Sequence, residues 1–174
     1  MNVFLNILYK VFDIKVNKNM TNVRVYRTTE GTIFECVAAV IIVVMWALIA
    51  YYFKSLPDQI PTHFDMTGDA DGFGSKHTLW ILGIIGTLTT TLLLFSAYHP
   101  RFMNLPVKVT KPVHIAMAIR MLRIICIIIA LLFVDIVLMI VSNPYAYVIV
   151  MWCLIAAMLA VMTYYSVRIR KTTV

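Results

Sequence analysis

The sequence predicts an all-α integral membrane protein: a four-transmembrane-helix bundle with an N-terminal interfacial amphipathic helix and a structured outer loop. Three observations lead there. The 174 residues are 61% hydrophobic and only 13% charged, far from the balance of a soluble domain. The apolar excess is gathered into four runs, each close to the ~20 residues that a helix needs to cross a ~30 Å hydrocarbon core. Thirteen of the fifteen lysines and arginines fall on one side of the topology those runs define. A buried soluble core could account for one such run, but four of them leave too little polar sequence to cover a soluble surface.

Over residues 1–17, Asn2, Asn6, Lys10, Asp13 and Asn17 recur at helical spacing, with Phe4, Leu5, Leu8 and Phe12 on their flanks. A narrow polar stripe on an apolar helix suits a segment lying in the inner leaflet. It has neither the basic start nor the small-residue cleavage site of a signal peptide, so it is expected to be retained. It would serve as an anchor or as a docking helix for a cytoplasmic regulator. Residues 18–33 form a cytoplasmic linker. The spans are 34–53, 79–97, 118–141 and 146–167, with the outer loop at 54–78, a cytoplasmic loop at 98–117 and a cytoplasmic tail at 168–174. Only Lys54 and Lys76 lie on the outer side, which places both termini in the cytoplasm. The net charge of +7 then sits on the inner face, where anionic lipid headgroups are the natural partner and nucleic acid need not be invoked.

Cys36, Cys126 and Cys153 all fall within spans. An odd count with no CxxC argues against a disulfide framework and for small core residues. Span two carries Gly83, Gly86, Thr87, Thr89, Thr90 and Thr91. Small and hydroxyl residues allow close helix approach, which places that span centrally in the bundle or at a dimer contact.

The segment "LPDQIPTHFDMTGDADGFGSK" (56–76) is the polar exception between two oily runs. Pro57 and Pro61 push Leu56 and Ile60 toward extended backbone. Gly68, Gly72 and Gly74 alternate with aspartates in the manner of tight turns. Leu56, Ile60, Phe64, Met66 and Phe73 supply apolar anchors, so the loop should be ordered and packed onto the helix ends. His63, Asp65, Asp69 and Asp71 are candidate ligands for a divalent metal. The spacing fits poorly: aligning Asp69, Asp71 and Gly72 with a calcium loop leaves Thr78 where a bidentate glutamate is wanted, and His63-x-Asp65 is not a zinc pair. Turn-building is the first expectation for these aspartates, and no cofactor is predicted.

Asp135 is the one acid deep in a span. It should face the bundle interior, and Trp46, Thr87 and Trp152, placed at similar depth by residue counting, could donate to it. It reads as interhelical glue or as a proton or ligand site. Arg120 and Arg123 share a helix face near the inner surface and are expected to snorkel to lipid phosphates, with Glu35 as a weak partner for one of them. His99 and His114 read as interfacial. There is no HExxH, GxSxG or P-loop, so no enzyme is predicted; a metal-assisted hydrolase on the outer loop would lack a nameable nucleophile.

The loop also carries a resemblance. Leu56, Pro57, Ile60, Pro61, His63, Phe64, Gly68, Asp71, Gly72, Gly74, Ser75 and Lys76 resemble the signature of small bacterial membrane proteins that share a domain of unknown function with SdpI-type immunity proteins. "MNLPVKVT" resembles the same family's approach to its next span. Asp65 stands where asparagine is usual and Phe73 where tryptophan is commoner; immunity-type members carry further helices. The resemblance implies a bacterial cytoplasmic-membrane protein, linked in some members to immunity or signalling. The expected function is therefore a membrane interaction protein whose outer loop binds an external peptide or envelope component. The alternative is a small oligomeric transporter or membrane-complex assembly subunit, a homo-oligomer that uses Asp135 and the span-two threonines.

Overall fold

The computed structural model describes residues 25–103, 112–142 and 144–171. The interfacial helix expected over 1–17, the first part of the linker and the segment 104–111 lie outside the described residues. Among the described residues the chain forms four helices long and apolar enough to cross a membrane: α1 (Thr29–Phe53), α2 (Thr78–Tyr98), α3 (Pro112–Val141) and α4 (Pro144–Lys171). The protein is a multi-pass α-helical membrane protein. Between α1 and α2 the chain makes an antiparallel hairpin, β1 (Gln59–Phe64) and β2 (Ala70–Ser75). A short 3-10 turn, Pro100–Phe102, follows α2.

The helices run longer than the apolar runs, and polar groups at their ends pair with one another, mostly at the exposed surface. Thr28 caps α1 by accepting from the Gly31 amide at 3.1 Å, so the helix starts ahead of its first charged residues. Glu30 accepts a two-point fork from Arg120 at 2.6 and 2.7 Å. Glu35 takes Arg27 at 2.5 Å and the Tyr98 hydroxyl. These contacts replace the expected pairing of Glu35 with Arg120 or Arg123. Nor does Arg123 snorkel: it is 5% exposed, with its guanidinium 5.5 Å from the Tyr98 ring centroid.

α3, rather than span two, is the central helix. It packs against α1, α2 and α4 and also touches β1. In its most apolar stretch 39% of residues are buried, against 22% in α2, 17% in α1 and 6% in α4. The glycines of α2 still do what small residues should. A Cβ on Gly83 would lie 3.0 Å from Ile49 and Trp46, and one on Gly86 would lie 2.9 Å from Phe133. They let α1 and α3 close on α2 from two sides. Thr87, Thr90 and Thr91 donate to carbonyls four residues back, at 2.8 Å each, so their hydroxyl protons are spent on their own helix. Of the cysteines only Cys126 is a core residue, donating to the Thr90 carbonyl at 3.5 Å. Cys36 and Cys153 are exposed on the bundle surface, which corrects the expectation that all three are buried. His114, at the start of α3, is fully buried.

Gly86→Val should therefore lower the thermal midpoint in detergent, at a cost of about 1–3 kcal/mol for overpacking. Adding Phe133→Leu should recover part of the loss, because the clash is with that ring.

Candidate functional site

The hairpin is set on the bundle at two places. At its base Ile60 is fully buried and joins Met45, Ile49, Leu79 and Val137 in one apolar cluster, so strand β1 drives an aliphatic plug into the mouth formed by α1, α2 and α3. At its tip, Tyr145 of α4 donates to Asp69 at 2.6 Å, the Trp152 indole reaches the Met66 carbonyl at 3.4 Å, and Gly68 lies against Val148. Gly68 has φ +96°, a conformation that glycine adopts without steric penalty.

Lys76 ties the base. Its ammonium meets Asp58 at 3.0 Å, lies 3.5 Å from the Leu56 carbonyl and sits 5.5 Å from the Phe53 ring centroid. The Lys76 amide donates to the Asp58 carbonyl. The Lys76 ammonium holds the Asp58 carboxyl below its usual range.

Two bulges shape the ladder. Pro61 faces Phe73 and His63 faces Gly72, leaving Thr62 extra on β1; Phe64 faces Ala70, leaving Asp71 extra on β2. The offsets cancel, and the displaced Asp71 turns its carboxylate onto the His63 imidazole. A Cβ on Gly72 would fall 2.9 Å from the His63 Cβ, and one on Gly74 would fall 3.0 Å from Thr62. At Gly72 a side chain would force the opposite strand to shift, and at Gly74 Thr62 would have to give by a few tenths of an ångström.

The turn is organised by Asp65. Its Oδ1 accepts from the Thr67 amide at 2.8 Å, the Thr67 hydroxyl at 2.7 Å and the Asp69 amide at 2.9 Å. Those donors, the Thr67 hydroxyl foremost, hold its carboxyl below the usual range. The four proposed ligands thus divide into two separate functions: His63 pairs with Asp71, while Asp65 and Asp69 converge on Thr67. No group of three His, Cys, Asp or Glu side chains placed to hold a metal occurs among the described residues. Three exposed groups complete the surface: Met66 (79%), Phe73 (64%) and the His63–Asp71 pair.

The intramembrane polar residues find other partners than expected. Trp46 donates to Thr87 at 3.0 Å, and Trp152 serves the hairpin. Asp135 is 4% exposed and its Oδ2 has no hydrogen-bond partner among the described residues. Sequence reasoning passed over Tyr145 and Tyr98, both of which bond carboxylates from other elements; a tyrosine at a helix end was the only signal available.

Among the described residues, fold and site together define a four-helix membrane protein capped at one end by a docked, acidic β-hairpin. Residues 40–87, the end of α1, the hairpin and the first part of α2, match the family described as Domain of unknown function (DUF1648). An uncharacterised protein of Archaeoglobus fulgidus is 30% identical over 73 residues, covering 37% of this chain and 40% of its own. The chain thus spans well under half of that relative. No solved structure matches the chain.

For Asp65 the sign of the pH effect is fixed. A carboxyl depressed in the folded state contributes stability above its unfolded value of 3.8 and loses it as pH falls through the lower, folded value. Asp65→Asn should melt below wild type at neutral pH, and the gap should close once the pH is well below 3.8. A gap that persists undiminished in acid would show that the carboxylate charge plays no part in the turn.

Proposed function

We propose that the protein is a binding or interaction protein of the bacterial cytoplasmic membrane, with both termini inside and the hairpin facing out to receive an external peptide or envelope component. The positive-inside distribution supports that orientation. The observation that carries the reading is the surface of the docked hairpin. It holds Met66 and Phe73 exposed beside an exposed His63–Asp71 pair, on a scaffold fixed at base and tip. Exposed apolar groups on a rigid polar frame are a recognition surface, because little ordering entropy is left to lose on binding. Four aspartates against Lys54 and Lys76 make this end acidic, which favours a ligand with both apolar and cationic groups. The resemblance of the loop to SdpI-type immunity proteins supports a role in immunity or signalling. On this reading no catalysis is required of the hairpin.

A second reading draws on Asp135. A buried carboxyl oxygen without a partner suits an oligomeric transporter or assembly subunit in which a second copy supplies the missing donor. The threonines of α2 contribute little to it, since their hydroxyls bond their own carbonyls.

A benzophenone amino acid at Phe73 in intact cells should yield an adduct heavier than the chain that disappears with His63→Gln. The same probe at lipid-facing Ile84 should not give it. Adducts at Phe73 that match those at Ile84, or that ignore His63, would count against the first reading. A probe at Leu131, one turn before Asp135, that captured a second copy of the chain would favour the other.

A further inference from the structure

The two strands of the hairpin have unequal outer edges. At its base the Lys76 amide donates to the Asp58 carbonyl at 3.0 Å, and from there Gln59 faces Ser75, Ile60 faces Gly74 and Pro61 faces Phe73. Bonded and non-bonded positions alternate along an antiparallel pair. Counted from the Lys76 bond, Ile60 and Gly74 meet at a bonded position, whereas Gln59 with Ser75 and Pro61 with Phe73 take non-bonded ones. The backbone groups of those two pairs therefore point away from the partner strand, toward the outer edges.

On β1 that edge is closed. Pro61 has no N–H to present there, and β1 packs against α3. On β2 the edge is open. Phe73 and Ser75 each keep an outward amide and carbonyl, and the strand packs chiefly on β1. Its exposed residues are Asp71, Phe73 and Ser75, with Phe73 at 64% and the Asp71 side chain at 51%. A free row of backbone donors and acceptors is a template for one more strand.

Charge selects the strand that fits. Asp58, Asp65, Asp69 and Asp71 stand against Lys54 and Lys76 in this segment. A second copy of the hairpin would set like charges side by side, which opposes pairing, while a basic strand would set opposite ones. The exposed Phe73 ring offers an apolar cross-strand neighbour next to Asp71. We infer that an external peptide binds by adding an extended basic segment to the edge of β2, its backbone pairing with Phe73 and Ser75, a cationic side chain meeting Asp71 and an apolar one the Phe73 ring. This rests on the reading of the hairpin as a recognition surface and specifies how that surface holds its partner. The bulge at Asp71 ends the edge, so the added strand is short and its side chains supply much of the selectivity.

The test titrates the full chain, isotope-labelled in phosphatidylcholine nanodiscs, with the peptide TKTVTKT, which puts lysine, valine and lysine on one face and reads alike in both directions. Amide resonances are followed by NMR. The expected result is a saturable downfield shift of the Phe73 and Ser75 amides, with α3 unmoved. The same peptide N-methylated at every amide keeps its charges but loses its donors, and its half-saturation should be weaker by about tenfold or more, as for the loss of one or two hydrogen bonds. TETVTET should give no shift. Ser75→Pro, which removes an outward N–H at the kind of position Pro61 already occupies, should weaken the Phe73 titration to a similar extent; if that variant does not fold, the N-methylated peptide decides. The inference is overturned if TKTVTKT gives no saturable shift at the two amides, if the N-methylated or acidic peptide matches it, or if Ser75→Pro leaves the titration unchanged. Shifts that grow with the number of chains per disc in the absence of peptide would assign the edge to a second copy and overturn it too. A failed titration beside adducts at Phe73 that still depend on His63 would remove strand addition alone and leave the recognition surface standing.

Discussion

Everything in this structure answers one constraint: within a hydrocarbon layer a polar group can be satisfied only by the protein itself. The backbone meets it by forming helices. The side chains meet it by position. Acids and bases gather at the two ends, where Lys76 holds Asp58, Arg120 holds Glu30, and Arg27 with Tyr98 holds Glu35. Between those ends the threonines of α2 turn back on their own carbonyls and Trp46 donates to Thr87. α3 can then serve as a nearly all-apolar axis for the other helices. Among the described residues, Asp135 in the middle and Arg123 near one end each keep a buried polar atom outside that pattern. In a chain that pairs its polar groups so consistently, such exceptions are the places to look for function.

The hairpin solves a related problem. A connection between α1 and α2 could have been as short as the two residues that separate α3 from α4. Instead the chain spends a two-stranded element there and fixes it with a buried isoleucine at the base and three contacts to α4 at the tip. An isolated two-stranded hairpin is marginal in water, so its order depends on the helices beneath. In return it bridges α4, which otherwise packs chiefly on α3, to the rest of the bundle.

Hydropathy made the four helices legible, because span length follows from bilayer thickness. The glycines of α2 were legible for the same reason: small residues in a span announce close packing. The hairpin was harder. Pro61 within β1, three glycines and two bulges erase the alternation by which strands are recognised, so 56–76 reads as turns although the proline positions already call for extended backbone. The His63–Asp71 contact depends on a register that spacing cannot supply. Depth counting failed for Trp152 because it assumes that helices share a mid-plane. α4 begins directly beneath the hairpin tip, and Trp152 stands only eight residues from Pro144, roughly 12 Å along the axis. Arg120 and Arg123, three apart, looked equivalent. One faces Glu30 and the other fills the space left by Gly31, a distinction that only the packed helices create.

The hairpin and bundle form one ordered unit, joined by Ile60. Hydrogen–deuterium exchange in lipid nanodiscs addresses it directly. The ladder amides of β1 and β2 should be protected in the intact protein. They should lose protection in Ile60→Ala while the amides of α3 keep theirs. Hairpin amides that exchange as fast as a free loop in the wild-type protein would contradict the account, and so would an Ile60→Ala chain whose hairpin stayed as protected as before.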